Sequence, residues 1–147
     1  MNKEHICYCG LYCGNCDFKT KIEPAAKILY EEIKKASYDE ILQFIPDGDK
    51  FWQFLHTWVN HNFCVSCKAG SGNPGCKIRI CAKEKSVEMC ALCESYPCEY
   101  FADLLEGCPI LKHDNSVLRE KGMDAWSKLQ DERQIAGFIY TETGQDT

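Results

Sequence analysis

Hydrophobic residues recur at helical spacing in the stretch that follows Pro24. Apolar side chains that return every three or four residues form one face of an α-helix, and proline is tolerated in the first helical turn. The pattern therefore predicts an amphipathic helix with a charged outer face. Its predicted inner face consists of Ala25, Ile28, Leu29, Ile33 and Ala36.

Two further helices are predicted in the same stretch. Ser37 and Glu40 have the spacing of a capping box ahead of an apolar run that ends at Pro46. Another helix is expected to begin near Asp49 and to place four apolar side chains on one face. We interpret that face as core rather than as a stacking platform for a cofactor. It comprises Phe51, Phe54, Leu55 and Trp58.

The second half of the chain is also predicted to be helical. Pro97 is expected in the first turn of one helix, and Asn115 or Ser116 is expected to cap another that breaks at Gly122. Strand signals are weak, and residues 77–80 are the best short candidate. The sequence thus predicts a mainly α fold with irregular cysteine-rich zinc-knuckle loops and little β structure. We expect one small, metal-stabilised domain spanning residues 1–147.

Twelve of the 147 residues are cysteines, and they are clustered. They divide the chain into an N-terminal cysteine segment (1–16), a helical insert (17–63), a cysteine-rich metal block (64–108) and a helical tail (109–147). The opening residues lack the apolar run of a secretory signal, and no stretch has the length of a membrane span. We therefore expect a cytoplasmic protein without membrane insertion, in which reducing conditions favour metal-bound thiolates over disulfides.

Three Cys-x-x-Cys pairs point to metal binding. Two intervening residues allow a tight turn to direct both sulfurs at one ion, and structural zinc takes four such ligands in a tetrahedron. The number of cysteines predicts about two zinc ions, with iron–sulfur clusters as the alternative because four-cysteine sites also hold iron. The predicted ligands are Cys9, Cys13, Cys16, Cys64, Cys67, Cys76, Cys81, Cys90, Cys93 and Cys98.

The simplest grouping of these ligands gives two sites. The first is formed from neighbouring turns of the metal block, Cys64, Cys67, Cys76 and Cys81. The second joins distant segments, Cys13, Cys16, Cys90 and Cys93. Cys9 and Cys98 are alternates or members of a third centre. The Gly-x-Gly-x-x-Gly pattern at residues 70–75 is interpreted as a flexible loop between ligands, because no strand precedes it and a proline lies inside it.

Other roles stay open for individual side chains. If Cys98 is not a ligand, its expected position near a helix N-terminus makes it the best candidate for a reactive or redox-sensing thiol. Cys7 and Cys108 have no partner by spacing and are expected to be buried thiols that could still join a centre. His61 is expected to pack or to be solvated rather than to replace a thiolate.

The formal net charge of -5 argues against general nucleic-acid binding. Two zinc ions, each with four thiolates, would make the net charge about -9. A local basic group at Lys77, Arg79, Lys83 and Lys85 is expected to offset neighbouring thiolates. The sequence lacks the Gly-x-Ser-x-Gly, His-Glu-x-x-His and P-loop motifs, so it predicts no particular reaction and gives no reason to expect an enzyme.

Four stretches of sequence taken together resemble a known family. They are CGLYCGNC (9–16), CVSCKAGSGNPGCKIRIC (64–81), AKEKSVEMCALCESYPCEYF (82–101) and GMDAWSKLQDER (122–133). Their order resembles the cysteine-rich prokaryotic family known as domain of unknown function 3795. The resemblance implies a small metal-binding type of protein without an established activity, and it implies the ten predicted ligands named above.

Two hypotheses on function follow. The first is a non-enzymatic cytoplasmic zinc-binding domain with a structural or interaction role, whose surface serves a protein partner. The second is an iron–sulfur or thiol-based redox or sensor protein.

Overall fold

The computed structural model describes residues 2–61 and 64–141, and helices form most of them. In chain order they are α1 (Glu23–Lys35), α2 (Asp39–Leu42), α3 (Gly48–Asn60), α4 (Lys77–Glu84), α5 (Glu99–Gly107) and α6 (Pro109–Ile135). Single 3₁₀ turns cover Lys3–His5, Cys13–Asn15 and Cys90–Leu92, and a π-helical turn covers Phe18–Ile22. In the described residues, β pairing is limited to one antiparallel bridge between Ile6 and Tyr12. The predicted mainly α fold with little β structure is confirmed.

The chain divides into two compact units. One consists of residues 17–64, and the other consists of residues 1–16 together with residues 65–147. We call them the insert unit and the cysteine unit. That the whole chain forms one domain stays a prediction.

The insert unit is held by ring contacts between its helices. Tyr30 of α1 stacks on Trp52 of α3 with ring centroids 4.9 Å apart, and Phe18 stacks on Trp58 at 5.5 Å. Leu55 is the buried aliphatic residue of α3. Stacked aromatic pairs of this kind contribute about 1 kcal/mol each beyond the area they bury.

The prediction that these helices bury their apolar faces is wrong for several residues of this unit. Ile28 is 62% exposed and Phe54 is 57% exposed, and Leu29 and Phe51 are also exposed. The helices meet through Tyr30 and Trp52, which turns these four side chains outward. The predicted capping box is wrong as well. Ser37 adopts a positive φ of 56°, and the four-residue α2 begins only at Asp39 without a side-chain cap.

The helices of the cysteine unit agree in part with the predictions. The break at Gly122 is confirmed, because this residue has φ 81° and ψ 178° within α6, a conformation open to glycine. The prediction that the last helix starts at Asn115 or Ser116 is wrong. The helix α6 begins earlier, at Pro109, which lies in its first turn. Pro97 lies just before α5 rather than in its first turn, since Cys98 is the N-cap.

The predicted strand at residues 77–80 is also wrong, because these residues open α4. The short run alternates like a strand, but it continues to the fully buried Ala82. Ile78 and Ala82 lie four residues apart and therefore share one face of a helix. Helical packing of that face overrides the local alternation.

The core of the cysteine unit joins the N-terminal loop to the long helix α6. The edge of the Tyr12 ring meets Trp126 at 6.3 Å with an interplanar angle of 90°. The buried residues of this core are Ile6, Tyr12, Met89, Ala91, Leu118 and Trp126. A hydrophobic core thus fixes the N-terminal loop to α6 and to the Cys90–Leu92 turn. No helix in residues 2–61 and 64–141 has the length and apolar character needed to cross a bilayer.

Candidate metal centre

The first cysteines lie on a tight loop at the start of the chain. The backbone N–H of Cys7 donates to the Leu11 carbonyl at 2.9 Å, and the N–H of Gly10 donates back to the Cys7 carbonyl at 3.1 Å. Gly10 has φ 98°, and a Cβ on it would overlap Asn115 Oδ1. The Asn115 amide in turn donates to the Cys9 carbonyl at 3.0 Å. The loop that presents Cys7 and Cys9 is therefore tied directly to α6.

The next cysteine pair is held by a 3₁₀ turn at Cys13–Asn15. The N–H of Cys16 donates to the Cys13 carbonyl at 3.1 Å and closes the turn. Asn15 is fully buried and donates to Gln130 Oε1 at 2.9 Å. A Cβ on Gly14 would overlap the Tyr12 ring, so only glycine permits this approach. The residues between the two cysteines thus anchor the turn on α6.

Four cysteines approach one another around the N-terminal loop. The sulfurs of Cys7 and Cys13 are 3.4 Å apart, and the Cys7 sulfur also contacts the thiols of Cys9 and Cys67. We call Cys7, Cys9, Cys13 and Cys67 the N-terminal sulfur group. Cys7 is buried, whereas the other three are partly exposed. Residues far apart in the sequence thus contribute thiols to one place.

Backbone N–H groups point at these sulfurs. The N–H of Tyr8 donates to Cys67 Sγ at 3.3 Å. The N–H of Cys67 donates to the Cys7 sulfur, and the N–H of Leu11 donates to the Cys9 sulfur. Such donors stabilise the thiolate form, which is the form that binds metal. The arrangement suits sulfur in its anionic state.

Hydrogen bonds between the thiols shift the pKa values in this group. The hydrogen bond between Cys7 and Cys13 is the main cause that holds the pKa of Cys7 far below its ordinary value. The hydrogen bond with Cys7 raises the pKa of Cys67 well above its ordinary value, and the positive charge of Arg79 acts in the opposite direction. A separate hydrogen bond between Cys9 and Cys7 raises the pKa of Cys9, with burial as the next cause. Hydrogen bonds between the thiols therefore shift the pKa of Cys7 and the pKa values of Cys9 and Cys67 in opposite directions.

A second set of cysteines lies between α4 and α5. Cys76 is the N-cap of α4, Cys98 is the N-cap of α5, and the Cys90–Leu92 turn is closed by the Cys93 N–H donating to the Cys90 carbonyl at 3.0 Å. The charges of the four neighbouring cysteines act on Cys90. We call this set the second sulfur group. Its members are Cys76, Cys81, Cys90, Cys93 and Cys98.

Four members of the second sulfur group line a small cavity. It has a volume of about 20 Å³, room for one water-sized species. Burial first, and then the charge of Cys81, raises the pKa of Cys90 to about 12. Arg119 donates to the carbonyl of Ala91 at 2.6 Å and so fixes the turn that follows Cys90. The cavity wall is made by Cys81, Cys90, Cys93 and Cys98 together with Phe101, Tyr96 and other side chains.

The sulfurs do not form a preorganised metal site. In the described parts of the chain, no group of three or more His, Cys, Asp or Glu side chains is arranged to hold a metal ion. None of the twelve cysteines, all of which lie in these parts, forms a disulfide. The fit to a metal therefore rests on the donor chemistry and on the pairwise proximity of the thiols.

A family model fits this part of the molecule. The model for DUF3795, described as a protein of unknown function, matches residues 5–103. The chain belongs to DUF3795. The resemblance seen in the sequence is thereby confirmed, and the matched range contains both sulfur groups. Neither a curated protein nor a solved structure matches the chain.

The structure groups the predicted ligands of this DUF3795 chain in a different way from the sequence. Cys67 lies with the N-terminal loop rather than with Cys76 and Cys81. Cys90 and Cys93 lie with Cys76 and Cys81 rather than with Cys13. The spacing of the cysteines along the chain does not determine which of them lie close together in space.

The other cysteines and the histidine considered as ligands lie outside the two sulfur groups. Cys16 closes its turn through its backbone, and Cys64 belongs to the insert unit. Cys108 is the N-cap of α6, and His61 is exposed. Sequence reasoning left Cys7 out of the ligand set, although it lies at the centre of the N-terminal sulfur group. The signal that could have found it is the Cys-x-Cys spacing with Cys9.

Proposed function

We propose that this chain is a zinc-binding protein of the cytoplasm, in which two ions with cysteine thiolate ligands hold the cysteine unit together. The observation that carries the proposal is the 3.4 Å approach of the Cys7 and Cys13 sulfurs among backbone N–H donors. The second sulfur group supplies the other site. The role is structural, and the surface so formed serves a protein partner.

The separation of the two sulfurs supports a single tetrahedral ion rather than a four-iron cluster. Zinc binds thiolate at about 2.3 Å, so two ligands of one tetrahedral ion lie about 3.8 Å apart. The observed 3.4 Å is close to this separation. A four-iron cluster binds one cysteine at each iron, so its cysteine sulfurs lie farther apart than this. Small movements of the thiols would complete a zinc site here.

The energetic need for metal also supports a structural role. Among the described residues, the hydrophobic cluster at the centre of the cysteine unit contains six buried side chains, a small core for a unit of this length. Structural zinc contributes on the order of 10 kcal/mol of folding free energy in small peptides. A zinc ion with four thiolates keeps no open coordination position for a substrate. The expected function is therefore to stabilise and shape a binding surface.

The charge of the chain supports a protein rather than a nucleic acid as the partner. The formal net charge is -5 before any metal is bound. Each four-thiolate zinc site carries a net charge of about -2, which adds to the repulsion of phosphate. Thiols in this number also require a reducing compartment, which supports the cytoplasmic location.

Anaerobic purification tests the proposal against its alternative. Reduced protein isolated without oxygen is expected to be colourless and to contain about two zinc ions per chain. A brown sample that contains iron and absorbs near 400 nm would instead support the iron–sulfur redox protein. Protein that contains neither metal, and that takes up neither when supplied, would contradict both.

A further inference from the structure

We infer that Cys7 completes a four-thiolate zinc site with Cys9, Cys13 and Cys67. This inference rests on the proposed function and names the ligands of one of its two ions. It assigns a ligand outside the ten that the sequence predicts and outside the Cys-x-x-Cys pairs. The second ion belongs to the second sulfur group.

Cys7 has the central position among these four side chains. Its sulfur lies 3.4 Å from that of Cys13 and is in contact with the thiols of Cys9 and Cys67. Cys7 is 8% exposed, so its contacts are made inside the fold. Cys7 is therefore the member of the group that contacts each of the other three thiols.

The backbone around Cys7 is fixed on both sides. Ile6 and Tyr12 form the antiparallel bridge that closes the loop, and both belong to the buried core. Within the loop, the Cys7 N–H donates to the Leu11 carbonyl. Core packing therefore holds the backbone segment that carries Cys7.

The link to Cys67 brings in the distant metal block. Tyr8 donates its N–H to Cys67 Sγ at 3.3 Å, and the N–H of Cys67 donates to the sulfur of Cys7. The two segments thus exchange hydrogen bonds that each end on a sulfur. N–H groups that surround sulfur in this way compensate the charge of a thiolate centre.

Cobalt binding tests the assignment, because Co²⁺ takes the place of zinc and its absorption reports the ligands. Reduced wild-type chain is expected to bind about two Co²⁺ ions with the spectrum of four thiolates. Cys7→Ser is expected to bind about one ion tightly, with affinity at the other site reduced at least about tenfold. Cys108→Ser, the matched control, is expected to retain both.

Each outcome separates the inference from the proposed function. If the Cys7→Ser chain keeps two four-thiolate ions while Cys16→Ser loses one, Cys16 is the ligand and the inference fails although the function stands. If the wild-type chain binds no cobalt and no zinc, the proposed function fails.

A second measurement needs no variant and remains decisive if Cys7→Ser does not fold. Zinc-loaded wild-type chain is treated with N-ethylmaleimide and digested, and the labelled cysteines are identified by mass spectrometry. Cys7 is expected to be protected with zinc and to be labelled at least about tenfold faster after chelation, together with Cys9, Cys13 and Cys67. Labelling of Cys7 that does not change while that of the other three does would overturn the inference.

Discussion

The side-chain amide of Asn15 donates a hydrogen bond of 2.9 Å to Gln130 Oε1, and both residues are completely buried. The Gln130 side-chain N–H donates to the Asp114 carboxylate at 3.0 Å, and Arg133 forms an ion pair with the same carboxylate. The turn between Cys13 and Cys16 is thereby connected to both segments of α6. This buried network therefore fixes the position of the turn that carries Cys13 and Cys16.

Replacing Gln130 with alanine is expected to destabilise the cysteine unit by about 2 kcal/mol or more. The substitution leaves Asn15 and one bond of Asp114 without a partner in the interior, and an unsatisfied buried polar group costs about 1–3 kcal/mol. Urea denaturation of zinc-loaded protein measures the change. Glu120→Ala, an exposed position on α6, is the control and should alter stability by less than about 0.5 kcal/mol. Equal effects of the two substitutions would contradict the structural role of the network.

Gly10→Ala is expected to lower stability and to weaken metal binding together. The residue has φ 98°, and a Cβ would overlap Asn115 Oδ1. Strain of this kind costs about 1–3 kcal/mol. Gly107→Ala is the matched control, because Gly107 ends α5 with nothing within 4 Å of an added Cβ. Thermal unfolding and a zinc titration on both variants check the prediction, and a Gly10→Ala chain with unchanged zinc affinity would argue against the loop as a ligand platform.

Cys67→Ser is expected to lose about one metal ion and several kcal/mol of stability, because a structural zinc site is also folding free energy. Cys108→Ser is expected to cost little, since Cys108 lies outside both sulfur groups as the N-cap of α6. Metal analysis and urea denaturation of the two variants give the comparison. Equal, mild effects at both positions would show that the sulfurs near Cys7 do not bind metal.

The alkaline limit of stability is expected to depend on Tyr140. Burial is the main cause that raises the pKa of this phenol above its ordinary value, although its hydrogen bond from the Tyr12 N–H acts in the opposite direction. Unfolding returns the pKa to about 10, so above that pH the unfolded chain releases a proton that the folded chain retains. The contribution of this partly buried phenol is therefore present below about pH 10 and decreases as the pH rises.

Tyr140→Phe separates this effect from the titration of the thiols. Unfolding by urea at about pH 9 and about pH 11 should show a smaller loss of stability in Tyr140→Phe than in the unchanged chain. The difference between the two chains cancels the contribution of the cysteines, because both carry the same twelve. Identical losses would mean that Tyr140 is not buried as a neutral phenol.

The helical class and the break at Gly122 could be predicted because hydrophobic periodicity and glycine act locally. The faces of α1 and α3 could not, since ring stacking of Tyr30 on Trp52 decides which side chains point inward. The number and the pairing of the cysteines indicate a pool of candidate metal ligands, which stays a prediction. Their grouping could not be predicted, because it depends on contacts such as that of Tyr8 with Cys67, 59 residues apart.

The thermal unfolding temperature of reduced protein, measured with zinc and after complete chelation, tests the central claim most directly. A ligand present at about 1,000 times its dissociation constant stabilises the folded state by about 4 kcal/mol, which for a chain of this size raises the unfolding temperature by about 10 °C. We predict a rise of at least this size with zinc, and its loss on chelation. An unfolding transition at the same temperature in both samples, from a fully folded metal-free chain, would contradict the account.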